Sequence, residues 1–394
     1  REREREMVVV VVALRSAERR EAELQLRSTI PPRPEDGEAG SEGHGCGWGG
    51  ARRGESRQKG TDGFASVLGA AEGQLPVCVT SAASYIGRAI VDCLLSRGYS
   101  VRLAVDSRDD LEKLGEAEVL EGRGGGRISA VAADVMDVEG LCEAFDGCAG
   151  VFHTSAFLDP AGISGYSKHM AEMEATAAAK VVEACARTPS VRRCVFTSSL
   201  LACVWRRHHP DPHGQRRAPA LLDESCWSDE TLCRDKKLWL ALGKTMAERA
   251  AWRAARGRDV KVATLCPALL TGPAFCSENP SSSVAYLKGG DEMYAEGLLA
   301  TAEVGKVAEA HVCVYEAMGG GDTSCGRYIC FDRVVHREED ITHLWRQLGL
   351  ANWLSDGTTG NGGAIYFVLS NSKLRRLMSQ RRCPYDGLNM DLCY

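Results

Sequence analysis

The sequence has no CxxC pair, no apolar run long enough to cross a membrane and no large excess of either charge. Each absence excludes something. A membrane helix needs about 20 apolar residues, and the N-terminal run Met7–Leu14 (MVVVVVAL) has eight. The segment behind it, RSAERREAE, makes a poor signal cleavage site, and its glutamates do not suit a transit peptide. RERERE, ahead of Met7, reads as sequence from upstream of a start. A net charge of −5 provides no basic excess for nucleic acid or an anionic membrane surface. The 17 cysteines are an odd number, and several (Cys78, Cys93, Cys266) sit in apolar patterns. They read as buried reduced thiols in a cytoplasmic setting, not as a disulfide framework.

What is present is apolar content for one large two-lobed globule and a tail, at 394 residues and 44% hydrophobic. Residues 1–73 read as a disordered extension, because from Pro31 to Gly73 the chain is rich in Gly, Arg, Glu and Ser. Beyond it, strand candidates recur at Val77–Thr80, Val101–Val105, Ile128–Ala132, Gly150–His153, Arg193–Thr197 and Val260–Cys266. Helical patterns lie between them, at Leu141–Phe145, Tyr166–Arg187 and Asp235–Arg256. This alternation predicts an α/β fold with a parallel sheet covered on both faces. Past Gly272 the rhythm breaks into loops and helices (Val304–Ala317, Glu338–Leu348, Asn371–Ser379). Residues 74–271 are therefore expected to form the nucleotide domain and 272–394 mainly a smaller substrate lobe. GRGGGR at Gly122–Arg127 precedes a strand and reads as a connector.

The first strand runs into a turn and a helix: VCVTSAASYIGRAIVDCLLSRG, Val77–Gly98. Such a unit cradles a pyrophosphate when three glycines supply the bend, the close approach and the helix–strand packing. Here Ser81 and Ser84 occupy the first two positions, and only Gly87 keeps its glycine. Ser81 is costly if its position demands a left-handed backbone, at about 1–2 kcal/mol. The Ser84 hydroxyl can donate to a phosphate, and Tyr85 and Ile86 open a helix whose N-terminus attracts anions. Asp106 closes the second strand, where an acid binds a ribose 2′-hydroxyl. Arg102 and Arg108 stand nearby and suit a 2′-phosphate instead. Asp134, followed by Val135, closes the third strand, where a carboxylate can accept from an adenine amine.

Three later stretches are more specific: GVFHTSAF (Gly150–Phe157), VFTSSLLACVW (Val195–Trp205) and DESCWSDETLCRDKKLWLALGKTMAERAAW (Asp223–Trp252). Together they resemble the extended short-chain dehydrogenase/reductase superfamily, and within it the plant cinnamoyl-CoA reductase and dihydroflavonol reductase group. The resemblance implies a Rossmann-type doubly wound sheet and NADP(H), with NAD(H) an alternative raised by Asp106. It implies reduction of a phenylpropanoid-like CoA thioester, aldehyde or ketone, with Thr154, Lys244 and Pro267 added to the cofactor contacts. In that group a Ser, a Tyr and a Lys carry catalysis. The lysine charge lowers the tyrosine pKa, and the tyrosine delivers the proton. By position the serine is Ser199 and the lysine Lys244, but the tyrosine position is Leu240, within LWLALGK. Leucine has no proton to give, so proton delivery is altered, or the chain is a nucleotide-binding protein without catalysis.

Other features carry less. His208–His213 (HHPDPH) lacks helical ligand spacing, and no metal is expected. Cys226 and Cys233 read as thiols, and Trp227, Trp239 and Trp252 as packing residues. Ser199 lacks the G-x-S-x-G elbow of a hydrolytic serine. The expected partner is a small-molecule substrate, not nucleic acid or membrane.

Overall fold

Val77–Thr80 (β1) lies fully buried at the centre of a seven-stranded sheet. In the computed structural model the described residues are 75–106, 127–154, 166–207, 220–273, 275, 280–320, 324–347 and 367–380. The extension expected over 1–73 falls outside them. Three of the four residues of β1 (VCVT) are β-branched, a type that a pleated strand buried on both faces accommodates well. Val77 and Val79 join one core layer, whereas Cys78 joins the layer on the opposite face. The first of these layers includes Tyr85–Ser96 (α1), whose Ile90 and Leu94 are fully buried.

The remaining strands of the sheet are Val101–Val105 (β2), Ile128–Ala132 (β3), Gly150–Thr154 (β4), Arg193–Thr197 (β5), Lys261–Pro267 (β7) and Gly326–Cys330 (β10). Their order is β10-β7-β5-β4-β1-β2-β3, and every adjacent pair is parallel. This is the doubly wound, Rossmann-type α/β arrangement, with its order reversing between β1 and β4. Ligands of such sheets bind at that reversal, outside the carboxyl ends of the strands. Ala220–Leu222 (β6) pairs with Phe367–Leu369 (β12), and Leu269–Thr271 (β8), Ala300–Glu303 (β9) and Arg333–Val334 (β11) make a third, small sheet.

Val138–Phe145 (α2), Lys168–Arg187 (α3) and Trp239–Ala255 (α6) cover the Cys78 face. The helix expected from Tyr166 starts two residues later, because the Ser167 side chain caps it by accepting from Met170 N at 3.2 Å. The helix expected over 235–256 begins later, at Trp239, and runs unbroken to Ala255. Leu201–Val204 (α4) and Glu230–Asp235 (α5) precede Lys237, whose φ of 56° breaks the helical path before α6. Beyond residue 272 the chain does not stay in a separate lobe. Val304–Met318 (α9) packs against α1, and β10 adds the edge strand beside β7. Pro280–Tyr286 (α7), Gly290–Ala295 (α8), Glu338–Gln347 (α10) and Ser372–Gln380 (α11) complete that segment. Among the described residues no helix is long and apolar enough to cross a membrane.

One buried ion pair joins these parts. Glu248 of α6 is fully buried, and Arg327 of β10 donates to it from Nε at 2.7 Å and from Nη2 at 3.1 Å. Ser198, after β5, and Thr264 of β7 donate to the same carboxylate at 2.7 and 2.5 Å. The guanidinium also donates to the Glu224 and Cys226 carbonyls and lies 3.7 Å from the Trp227 ring centroid. Removing one partner of such a pair strands a buried charge, which costs about 3–5 kcal/mol. Arg327→Met should lower the unfolding free energy in urea by about that amount. Arg327→Met combined with Glu248→Leu should recover part of the loss, because no unpaired charge then remains.

Candidate active site

The β1–α1 turn adopts the strained backbone that its sequence suggested. Ser81 has φ 48°, in the left-handed region that glycine occupies without strain. Ser84 is the N-cap of α1 and accepts from Gly87 N at 3.1 Å. Gly87 lies so close to the turn that a Cβ there would sit 2.5 Å from the Ser81 carbonyl oxygen. No acidic residue stands in the first turn of α1, so its positive end is uncompensated. Tyr85 and Ile86 are buried at this end, and the Tyr85 hydroxyl donates to the Pro273 carbonyl at 3.0 Å.

Strand β4 holds the turn in place. The Thr154 hydroxyl donates to the Thr80 carbonyl at 2.7 Å, and Thr154 N donates to Thr80 Oγ1 at 3.3 Å. His153 Nδ1 lies 2.8 Å from the same Thr80 Oγ1. Its Nε2 is buried without a hydrogen-bond partner. Burial, and then the Lys244 charge, pushes the His153 pKa down to about 3. On the next strand His311 of α9 pairs with Thr197 Oγ1 at 2.8 Å, and burial pushes its pKa down to about 4.

The other expected cofactor contacts separate into two groups. Asp106 is exposed just after β2, and Asp134 is exposed after β3, with one oxygen accepting from Met136 N at 2.8 Å. Val135 is buried beside it. Arg102 is not available for a 2′-phosphate: its guanidinium donates to the Ala144 and Asp146 carbonyls at 2.9 and 2.6 Å. It stands second in β2, toward the amino end of the strand. Arg108 and His208–His213 lie outside the described residues. Among those described, no cluster of His, Cys, Asp and Glu is arranged to hold a metal ion. Cys226 and Cys233 are buried and unbridged.

Ser199 is buried just beyond β5, and its Oγ accepts from Leu201 N at 3.2 Å. Pro267 ends β7 and fixes the same corner by accepting from Leu200 N at 2.8 Å. Lys244 is buried on α6, and half-buried Leu240 stands one turn before it. Sequence reasoning missed what faces that lysine. Glu174 of α3, 1% exposed, places Oε1 2.5 Å from Lys244 Nζ. The hydroxyl of buried Tyr166 donates to Glu174 Oε2. One signal pointed there: Glu174 stands among Ala171, Ala177, Ala178, Val181 and Val182, a carboxylate within an otherwise apolar helical stripe.

The profile of the 3-beta hydroxysteroid dehydrogenase/isomerase family matches residues 78–353. The chain belongs to this family. Membership places it among oxidoreductases and agrees with the extended short-chain reductase motifs. Cinnamoyl-CoA reductase 1 of Petunia hybrida is 36% identical over 320 residues, 79% of this chain and 90% of the relative. Cinnamoyl-CoA reductase 2 of Arabidopsis thaliana is 38% identical over 273 residues, 68% of this chain and 76% of the relative. The crystal structure of vestitone reductase from alfalfa (Medicago sativa) aligns with a TM-score of 0.55 at 25% identity, covering 77% of this chain and 92% of that one.

The two buried histidines of this family member give its stability a direction with pH. The unfolded chain protonates each ring below about pH 6.5, whereas the folded chain resists until about pH 3 at His153 and about pH 4 at His311. The unfolded state therefore binds more protons across that window, and acid favours it. Urea unfolding should show stability falling as pH drops from about 6.5 toward 4. His311→Gln should flatten that fall, although it lowers stability at neutral pH through the Thr197 contact.

Proposed function

We propose that the chain is a nicotinamide-dependent reductase of a carbonyl in a phenylpropanoid-like CoA thioester, aldehyde or ketone. The observation that carries the reading is buried Lys244, with buried Ser199, on a frame matched from residue 78 to 353. The cinnamoyl-CoA reductase relatives favour a thioester, and vestitone reductase, by its name, a ketone. Unbridged Cys226 and Cys233 accord with a reducing, cytoplasmic setting.

The β1–α1 turn fits a dinucleotide. Gly87 leaves room for the backbone to close, Ser84 keeps a hydroxyl hydrogen to donate, and the α1 N-terminus offers its dipole to a pyrophosphate. Asp134 and Val135 would border the adenine, and Asp106 its ribose. NADP(H) is the cofactor that the family resemblance favours. When bound, the reduced nicotinamide supplies the hydride. Ser199 orients the substrate carbonyl by donating to its oxygen, and Lys244 holds the nicotinamide ribose and a positive charge beside the reacting oxygen. Leu240 contributes no proton. It favours a second reading, a nucleotide-binding protein without catalysis, which predicts binding with no turnover.

Calorimetric titration with NADPH and NADH, followed by carbonyl-dependent loss of NADPH absorbance, tests both readings. The absence of heat with either cofactor would sink them together. Ser81→Gly should raise the unfolding free energy in urea by about 1–2 kcal/mol, since it relieves the left-handed strain already present at φ 48°, and leave cofactor affinity near the wild-type value. Asp106→Ala should raise affinity for NADPH relative to NADH, by about tenfold, because a carboxylate repels a 2′-phosphate. An unchanged NADPH-to-NADH ratio would remove Asp106 from the ribose site.

A further inference from the structure

A phenol is present beside Lys244 after all, but it comes from a different element. Tyr166 stands two residues before α3, its ring buried, and its hydroxyl donates to Glu174 Oε2. The other oxygen of Glu174 lies 2.5 Å from Lys244 Nζ. Phenol, carboxylate and ammonium thus form one buried chain. The hydroxyl has room because residue 243 of α6 is glycine: a Cβ there would sit 2.6 Å from Tyr166 Oη. Among ordinary residues glycine is the one a helix interior tolerates least after proline. Gly243 lies between Leu240 and Lys244 in sequence and, like Lys244, is buried on α6. The Tyr166 hydroxyl therefore rests on the stretch of α6 that carries both the lysine and the leucine.

A buried carboxylate paired with lysine needs a further donor, and the Tyr166 hydroxyl is that donor to Glu174. The phenol adds an acid that Leu240 cannot supply. Building on the reductase reading, we propose that Tyr166 is the proton donor to the substrate carbonyl, and that Glu174 and Lys244 reprotonate it. The carbonyl carbon gains a hydride, the reductant being a reduced nicotinamide, and the C–O π pair moves onto oxygen. That oxygen takes the proton of Tyr166 Oη. The Lys244 ammonium first protonates the Glu174 carboxylate, the resulting carboxylic acid then gives that proton to the Tyr166 phenolate, and the Lys244 amine regains its proton from water. Glu174 touches no substrate atom in this scheme and acts as a positioning and relay residue.

The test uses the full chain, wild type and Tyr166→Phe, Glu174→Gln and Leu240→Tyr. Thermal unfolding and NADPH calorimetry establish that each variant folds and binds. Tyr166→Phe should then lower turnover of a cinnamaldehyde or cinnamoyl-CoA panel by about 10²–10⁴-fold, the usual worth of a positioned acid. It should leave NADPH affinity near the wild-type value. Glu174→Gln should lower turnover less and displace the acid limb of its pH profile, which a packing role would not do. An independent readout needs no turnover. The Cζ resonance of isotope-labelled tyrosine, assigned to Tyr166 by its loss in Tyr166→Phe, should move on Glu174→Gln and on adding NADPH. Wild-type turnover in a folded, NADPH-binding Tyr166→Phe overturns the proposal and leaves the reductase reading standing. So does a Tyr166 resonance indifferent to NADPH. A wild type that reduces nothing until Leu240→Tyr restores turnover also overturns it, since the missing acid would then belong at 240. Failure of the wild type to bind NADPH instead defeats the reductase reading on which the proposal rests.

Discussion

The carboxylate of Glu248 is the constraint around which the fold is assembled. It is fully buried, and its acceptor capacity is filled by Arg327, Ser198 and Thr264, so α6, β5, β7 and β10 meet at one point. A charge in an apolar interior is tolerated only when its partners are complete, which makes this junction all-or-none. Its position matters for function because Leu240, Lys244 and Glu248 follow one another at four-residue intervals. They share one stripe of α6. Anchoring Glu248 thereby sets how deep Lys244 sits.

That stripe carries a second buried pair of opposite polarity. Lys244 is the cation and Glu174 of α3 the anion, whereas at Glu248 the helix supplies the anion and β10 the cation. Helix α6 is therefore locked to α3 and to β10 by complementary charges, and the two pairs add no net charge to the interior. Leucine at 240 does not leave the neighbouring Lys244 without polar partners. The ammonium is neutralised from across the α3–α6 interface, and a hydroxyl from the segment before α3 reaches the same carboxylate. Polar capacity absent from one helix is supplied by its neighbour.

Much of the frame was legible in the chain itself. β1, β2, β3 and β5 fall on the expected residues, because each is a short apolar run bounded by breakers. β10 was not legible. GRYIC opens with glycine and arginine, and it becomes a strand by pairing with β7, far back in the sequence. The break at Lys237 was hidden for a related reason: a positive φ at a lysine has none of the glycine signal by which such a break is read from sequence. Around the expected site, the motifs named Ser199, Lys244 and the serine-bearing turn, and Ser199 and Lys244 are both buried. The motifs did not reveal that Arg102 is engaged by carbonyls at the far end of its strand, or that Glu174 faces the lysine.

The sequence alone determined the alternation of strand and helix, the parallel sheet, the turn with its single glycine and an apolar leucine at 240. These follow from periodicity and residue chemistry, which act over a few neighbouring residues. The tertiary structure decided which buried charge meets which: Glu248 with Arg327, Lys244 with Glu174, and Tyr166 with that same carboxylate. Such pairings depend on how separate elements cross in space. A buried ionic group accepts whichever partner the packing brings within hydrogen-bonding distance.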